Sequence, residues 1–271
     1  MMTRPRRCLA WISVSLILAG VAGFAADKPY EGYLTPGEFE VTRLIEPAPR
    51  KGDPRYETDR KIFRATRALL DTPRGEMATS DADASPAALM RDFSCAMGVT
   101  LTPQNAPAVL HLISRAGTDT AAQTNIAKDV YKRSRPFHID RGRICQPKAE
   151  LGDSFDFPSG HVTRGWTWAY ILTELAPDRA QQILGRGRAY GESRFICGAH
   201  NESAVQAGRE SASATMALVR TKPAYRADLD SARLQLAALR ANPASRPPDK
   251  CDIEEQLVNQ RVMPSLTTTG P

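Results

Sequence analysis

The strip SRFICGAHNESAVQAGR at residues 193–209 contains residue types that can carry out acid–base or group-transfer chemistry. His200 is one of only four histidines in the chain and can serve as a nucleophile or a base. Arg194 can bind a phosphate or carboxylate through two parallel N–H groups. A core histidine beside a surface arginine explains the strip equally well. Four residues after His200, where a carboxylate would orient a catalytic imidazole, the sequence has Ala204.

A second strip, KDVYKRSRP at residues 128–136, places two cations seven residues apart. On a helix this spacing is close to two turns, so Lys128 and Arg135 are predicted to share one face. Pro136 disfavours helical backbone at the residue before it, which predicts Arg135 at the helix end, free to fold over a ligand. The alternative is a solvated basic face, which Lys132 and Arg133 fit well.

The third strip, PSGHVTRGW at residues 158–166, reads as a turn followed by a helix. Pro158 and Gly160 favour the turn, and Ser159 is a good N-cap. The start of such a helix exposes backbone N–H groups and a partial positive charge, which together make an anion site. His161 at its rim can donate or accept a proton. The alternative is a capped helix with an incidental histidine.

Together the three strips supply two histidines, three cations and a helix N-terminus. That set can transfer a phosphoryl group: one neutral histidine attacks phosphorus, the cations hold the equatorial oxygens, and the other histidine protonates the leaving oxygen. The set needs no metal cluster and no cofactor, so we expect neither.

The order Lys-x6-Arg-Pro, Pro-Ser-Gly-His, Ser-Arg-x5-His resembles the phosphatase signature of the type 2 phosphatidic acid phosphatase superfamily. The strips AKDVYKRSRPF, FPSGHVTRGW and SRFICGAHNES look closest to bacterial class A nonspecific acid phosphatases. The resemblance covers nearly the whole mature chain. It implies an all-α fold, metal-independent hydrolysis of small phosphorylated substrates, and a periplasmic location.

The resemblance also implies roles for individual residues. His200 would be the nucleophile that forms a phosphohistidine, and His161 would be the general acid. The phosphoryl oxygens would be bound by Lys128, Arg135 and Arg194, with help from Ser159 and the Gly160 amide.

Ala204 is where this sequence departs from the family pattern, which ends His-x3-Asp. Alanine cannot accept the hydrogen bond that fixes the histidine tautomer, and the equivalent loss in a serine-protease triad costs on the order of 10⁴-fold in rate. Ser203 could accept a bond without a charge, and the more distant Asp153, Asp156 and Glu210 remain alternatives.

Two functions therefore follow from the sequence. The first is an exported phosphomonoesterase with reduced activity, and its rival is a weak or inactive homologue that binds phosphorylated ligands. A vanadium haloperoxidase, which uses the same superfamily site, is a remote third.

Outside the strips, the chain divides into four segments. We expect a signal peptide at 1–25, cut near Ala25 or Ala26, an extended arm at 26–57, a helical acid phosphatase domain at 58–241 and a Pro-rich tail at 242–271. The alternative for the first segment is an uncleaved membrane anchor. Its removal takes three arginines and no acid from a chain of formal charge +6, so nucleic-acid binding is not expected and no membrane anchor remains. The oligomeric state stays open, and a homo-oligomer is compatible with the sequence.

Apolar periodicity predicts helices and no strands, hence an all-α, single-domain helical bundle with an extended N-terminal arm. Ser85 and Pro86 predict one helix start, and Gly185 and Gly191 predict an interrupted helix at residues 178–195. Phe137 and Phe157 flank motif residues and belong either to the pocket or to the core.

Four cysteines remain after the signal peptide: Cys95, Cys145, Cys197 and Cys251. In an exported chain an even number predicts two disulfides, with three possible connectivities. We favour 95–145 and 197–251, which would brace the site because Cys197 lies three residues from His200. The alternative is four buried thiols, and the lack of Cys-x2-Cys spacing argues against a zinc site.

Overall fold

The computed structural model describes residues 32–263, and helices occupy most of them. The expected signal peptide with its cleavage point, the start of the arm at 26–31 and the end of the tail at 264–271 lie outside the described residues. The helices are α1 (Pro54–Thr66), α2 (Pro73–Ser80), α3 (Pro86–Met97), α4 (Pro107–Tyr131), α5 (Pro136–Ile139), α6 (Lys148–Leu151), α7 (Gly160–Leu175), α8 (Ala180–Cys197), α9 (Glu202–Val219), α10 (Pro223–Ala241) and α11 (Cys251–Asn259). Single 3-10 turns lie at Val41–Arg43, Arg67–Leu69 and Pro177–Arg179.

A helical bundle forms around α7, which packs against α4, α8 and α9, while α10 covers the outer side of α4. Its core is built from apolar side chains of α3, α4, α7 and α8, among them Phe93, Leu112, Trp168 and Tyr190. Residues 32–263 contain no strand. The prediction of an all-α, single-domain bundle is confirmed.

Local capping chemistry sets several helix starts. Ser85 accepts a hydrogen bond from the Ala88 N–H and Pro86 takes the first helical position, as predicted. Ser159 likewise caps α7 by accepting from the Val162 N–H. Both starts follow from residues within four positions along the chain.

The predicted interruption of α8 is wrong, because the helix runs unbroken from Ala180 to Cys197. A Cβ on Gly187 would lie 2.6 Å from the Cβ of Ala169, and one on Gly191 would meet Val162 and Val205 at 3.4 Å. The glycines let α8 approach its neighbours closely, and this packing outweighs their low helix propensity.

The arm and the tail are both tied to the bundle. In the arm, the Tyr33 N–H donates to the Asp119 carboxylate at 2.7 Å and the Val41 N–H donates to the Gln123 side chain at 2.9 Å. The first α-helix begins at Pro54, four residues before the predicted boundary, because Asp53 caps α1. The tail contains α11. Within the described residues, every helix lacks the combination of length and apolarity needed to cross a bilayer.

Two disulfides are present, as predicted, but their pairing differs from the one favoured. Cys95 pairs with Cys251, joining α3 to α11, and Cys145 pairs with Cys197. The second pair forms because the segment before α6 runs beside the end of α8, where the Cys145 N–H donates to the Cys197 carbonyl at 3.0 Å. Cysteine spacing alone carries no information on that approach.

Candidate active site

Six of the seven residues singled out from the sequence line one cavity of about 380 Å³. They are Lys128, Arg135, Gly160, His161, Arg194 and His200. Ser159 is the exception: its side chain is fully buried, and its hydroxyl accepts from the Val162 N–H at 3.4 Å. It therefore shapes the start of α7 from behind the cavity wall.

The cavity is strongly positive. Among the described residues that line it, Lys128, Arg135, Arg164 and Arg194 are basic and none is Asp or Glu. Burial lowers the pKa of Lys128 to about 8, with a further contribution from the neighbouring charge of Arg135. Buried cations that lower one another's pKa favour the binding of an anion, because its negative charge offsets their mutual repulsion.

Lys128 and Arg135 meet in the cavity without sharing a helix, which corrects the prediction of one helical face. Helix α4 ends at Tyr131, and Lys132 caps it with left-handed backbone. The loop then returns Arg135 to the cavity, where its Nε donates to the Ser154 carbonyl at 2.7 Å. The Lys128 ammonium donates to the Ser154 hydroxyl, also at 2.7 Å.

Arg133 does not belong to a solvated basic face, although its neighbour Lys132 is exposed as that interpretation requires. Its guanidinium is buried and donates to the Asp59 carboxylate at 2.7 Å and to the Ser203 hydroxyl at 2.6 Å. Asp59 also accepts from the Ser203 N–H at 2.9 Å. Ser203 is thus bound into this network, and His200 has other partners.

Arg194 lies in the last turn of α8 and is fully buried. One terminal nitrogen donates to the Gln146 side chain at 2.7 Å, whereas Nε and the other terminal nitrogen have no partner. Burial lowers its pKa to about 10. A buried guanidinium with two unused nitrogens on a cavity wall is suited to a tetrahedral oxyanion.

His161, the second residue of α7, is held through one ring nitrogen. Its Nε2 lies 2.9 Å from the Ala82 carbonyl, and because a carbonyl only accepts, Nε2 carries the proton. Burial first, and then the charge of Arg194, lowers the pKa of His161 well below its usual range. In the neutral ring, Nδ1 therefore keeps its lone pair.

The partners of His200 define its tautomer. Arg135 can only donate, and its Nη1 lies 3.0 Å from Nε2, so Nε2 carries the lone pair. On the other side, Nδ1 lies 2.7 Å from the Asp156 carbonyl and 3.1 Å from the Asp156 carboxylate, both acceptors. Nδ1 therefore carries the proton, and the ring presents an unprotonated Nε2.

Asp156 is the main site residue that the sequence did not single out. It was one of three carboxylates left open, and the other two, Asp153 and Glu210, are exposed. The Asp156 side chain is fully buried and also accepts from the backbone and side-chain N–H groups of Asn201, at 3.1 and 2.8 Å. A contact spanning 44 residues leaves no local pattern that could have chosen it.

The two aromatic residues that flank the motifs belong to the core. Phe157 packs with Val41 and Ala204, and Phe137 packs with Phe63. A second cavity of about 260 Å³, walled by Leu89, Ile113 and Trp168, shares Ala84, Gly117, Ala121 and Arg164 with the first. The cationic cavity therefore opens on one side into an apolar groove.

The Cys145–Cys197 disulfide lies beside this site, because Cys145 directly precedes Gln146, the hydrogen-bond partner of Arg194. We expect the Cys145→Ser/Cys197→Ser variant to lose on the order of 10-fold in activity, because Arg194 and His200 lose their fixed spacing. The Cys95→Ser/Cys251→Ser variant is the matched control and should keep its activity.

The free energy of unfolding should fall more in the Cys95→Ser/Cys251→Ser variant than in the Cys145→Ser/Cys197→Ser variant. The chain-entropy relation assigns about 4 kcal/mol to a loop of 52 residues and about 5 kcal/mol to one of 156. Thermal unfolding and steady-state kinetics of both variants check this pair of outcomes. Equal activity losses in the two variants would show that the bridge beside the site has no special role.

Within residues 32–263, no group of three or more His, Cys, Asp or Glu side chains is close enough together to hold a metal ion. The charged groups that line the cavity are instead the cations Lys128, Arg135, Arg164 and Arg194. The arrangement can bind a tetrahedral anion against an imidazole nitrogen that carries a lone pair.

Comparison with known proteins agrees with this geometry. Residues 108–227 match the PAP2 superfamily, and this segment contains both site histidines and the three site cations. An acid phosphatase of Zymomonas mobilis is 39% identical over 214 residues, which make up 78% of this chain and 81% of that protein. Non-specific acid phosphatases of Providencia stuartii and Salmonella typhimurium are 33% and 32% identical, covering 85% and 80% of this chain and 95% and 88% of their own lengths.

Proposed function

We propose that this chain, which belongs to the PAP2 superfamily, is an exported, metal-independent acid phosphatase that hydrolyses phosphomonoesters through a phosphohistidine. The observation that supports this most directly is the His200 ring, whose unprotonated Nε2 meets Arg135 in a cavity also lined by Lys128 and Arg194. The chain also matches relatives named as acid phosphatases over most of their length, which agrees with the proposal.

Binding of the phosphoryl group would use donors that are already fixed in place. Arg194 offers two unpartnered nitrogens, and Lys128 and Arg135 reach the same cavity. The N-terminus of α7 at Gly160 adds the positive end of a helix dipole. Arg135 covers the lone pair of His200, and phosphoryl oxygens, being charged acceptors, would draw it away and release the nucleophile.

In the first chemical step, Nε2 of His200 attacks phosphorus and the bond to the leaving oxygen breaks. His161 gives that oxygen a proton. A bound dianion beside its imidazole would oppose the effect of Arg194 and raise the pKa of His161, which favours the protonated form that this step requires.

In the second step, water attacks the phosphohistidine and the phosphorus–nitrogen bond breaks. The neutral His161 accepts a proton from the water, and inorganic phosphate is released. This returns both histidines to the protonation states that they have in the substrate complex.

Export is proposed from the N-terminal sequence and agrees with two disulfides, which persist in oxidising compartments. The reduced activity suggested by Ala204 remains a prediction, and it depends on whether another group orients His200. The rival function, binding of phosphorylated ligands without turnover, applies if none does.

The deciding experiment measures turnover of a chromogenic phosphomonoester with and without a metal chelator, beside a phosphate-binding titration. Turnover that the chelator leaves unchanged supports the proposal. Phosphate binding without turnover would favour the rival function. Peroxide-dependent halogenation in the presence of vanadate would instead favour the haloperoxidase.

We expect His161→Ala to affect substrates unequally. An alkyl phosphate, whose leaving oxygen needs the proton, should lose about 10²-fold or more in turnover, and a nitrophenyl phosphate should lose less than about 10-fold. Steady-state kinetics on both esters measure the difference. Equal losses on the two substrates would contradict the role of His161 as the acid.

A further inference from the structure

We propose that the Asp156 carboxylate positions the nucleophile His200, supplying from the loop before α7 the group that is missing at position 204. The inference rests on the proposed phosphatase function and deepens it. It concerns a residue that acts through His200 and does not itself line the cavity.

The geometry around Asp156 is that of an ionised acceptor. Oδ1 lies 3.1 Å from His200 Nδ1 and accepts from the Asn201 N–H, while Oδ2 accepts from the Asn201 amide and faces Arg133 at 3.6 Å. Both oxygens therefore act as acceptors, which only the carboxylate form satisfies in full. Burial raises the pKa of Asp156, and the charge of Arg133 and the two hydrogen bonds from Asn201 oppose that rise. Its own carbonyl holds the same Nδ1 at 2.7 Å.

Asp156 also joins the three motif strips. Its N–H donates to the Arg133 carbonyl at 2.9 Å in the strip at 128–136, and its side chain holds His200 in the strip at 193–209. It precedes Ser159 of the strip at 158–166 by three residues. A carboxylate at this junction fixes the ring plane, the tautomer and the distance of Nε2 from the cation cluster at once.

Position 204 lies against the loop that carries Asp156. Ala204 is fully buried and packs with Phe157, the residue that follows Asp156. Its carbonyl accepts from the Ser159 N–H at 3.0 Å. A carboxylate at 204 would enter the surroundings that Asp156 already occupies, and two buried like charges there would oppose each other's ionisation.

Four variants test the inference: Asp156→Asn, Ala204→Asp, the double variant with both changes, and Asp153→Asn as the control. Asp153 is an exposed acid in the same loop. We expect Asp156→Asn to lower kcat for a chromogenic phosphomonoester by about 10²-fold or more, with phosphate affinity nearly unchanged. The control should stay within about 2-fold of the native protein.

The carboxylate at 204 should matter only when the one at 156 is absent. Ala204→Asp alone is expected to give no increase in kcat, whereas the double variant should regain at least about 10-fold over Asp156→Asn. An increase in kcat of about 10²-fold from Ala204→Asp alone would overturn the inference. This measurement can be made even if the Asp156 variants fail to fold.

The pH profile separates positioning from a purely structural role. The charged and titratable groups that face His200 are Asp156 on one side and Lys128, Arg135, His161 and Arg194 on the other. Asp156 is the only anion among these groups, so its loss removes the one charge that favours the imidazolium. The acid limb of kcat/KM, which reports the free enzyme, should therefore move to lower pH in Asp156→Asn.

An unmoved acid limb together with native kcat in a folded Asp156→Asn variant would overturn the inference and leave the phosphatase function standing. If the native protein bound phosphate but hydrolysed no ester, the proposed function would fail first. The two failures are thus distinguishable in one set of assays.

Discussion

Replacing His200 with alanine is expected to lower turnover of a chromogenic phosphomonoester by at least about 10⁴-fold, because the proposed attack on phosphorus comes from its Nε2. Phosphate should still bind, since Lys128, Arg194 and the start of α7 do not depend on the imidazole. Arg135 loses one hydrogen-bond partner but keeps its bonds to the Ser154 and Ala199 carbonyls. The variant therefore separates binding from chemistry.

The measurement has three parts: kcat for the ester, a phosphate-binding titration, and mass spectrometry of alkali-quenched turnover mixtures. In the native protein we expect a phosphoryl adduct on the peptide that carries His200, and none in the variant. His111→Ala is a matched control, because this half-exposed histidine pairs with Asp228 outside the cavity. A stable adduct on any other residue would contradict the mechanism.

The parts of the fold that could be predicted from the sequence are those set by neighbours along the chain. The caps at Ser85 and Ser159 depend on an N–H three residues away, so the sequence states them directly. The prediction of an interrupted helix at Gly185 and Gly191 is wrong for the opposite reason. Packing against α7, α9 and α11 decides that backbone, and helix propensity is only a weak prior.

The site was predictable to the extent that its motifs carry fixed spacing. Spacing predicts that Lys128 and Arg135 lie together, and they do line one cavity. It also predicts that they share one helix, which is wrong because the local sequence does not indicate the left-handed backbone of Lys132. That turn is stabilised by Arg133 reaching Asp59, a pairing across 74 residues. The disulfide pairing and the Asp156–His200 contact are long-range in the same sense.

The second large effect concerns Arg194, for which we expect Arg194→Met to lower kcat/KM by about 10³-fold. Its two unpartnered nitrogens are the best-placed donors for charge that develops on the phosphoryl oxygens. Arg194→Lys should not rescue the activity, because the three N–H groups of an ammonium diverge from a single nitrogen and cannot bond Gln146 while presenting two parallel N–H groups to the phosphoryl oxygens. Phosphate affinity should fall in both variants.

The same substitution is expected to stabilise the protein in the absence of phosphate. A fully buried guanidinium with unsatisfied nitrogens bears a desolvation cost that the more distant charge of Asp81 opposes without forming an ion pair, and an apolar side chain of similar length removes this cost. We expect the free energy of unfolding of Arg194→Met to rise by about 1 kcal/mol or more. At phosphate concentrations of 100 times Kd, the order should reverse, because only the native protein gains the full binding contribution of about 2.7 kcal/mol.

Arg186, two turns earlier on α8, is the matched control for this prediction. It is equally buried, but it is bound to both oxygens of Asp81, at 2.6 and 3.3 Å, and to the Asp92 carbonyl at 2.9 Å. Arg186→Met leaves Asp81 buried without its main cation and should destabilise the protein by about 3–5 kcal/mol, with or without phosphate. Thermal unfolding of both variants, with and without phosphate, measures the contrast. The contradicting result would be equal destabilisation of both variants, with phosphate stabilising Arg194→Met as much as the native protein. Arg194 would then be a structural residue. The phosphate site would consist of Lys128, Arg135 and the start of α7 alone.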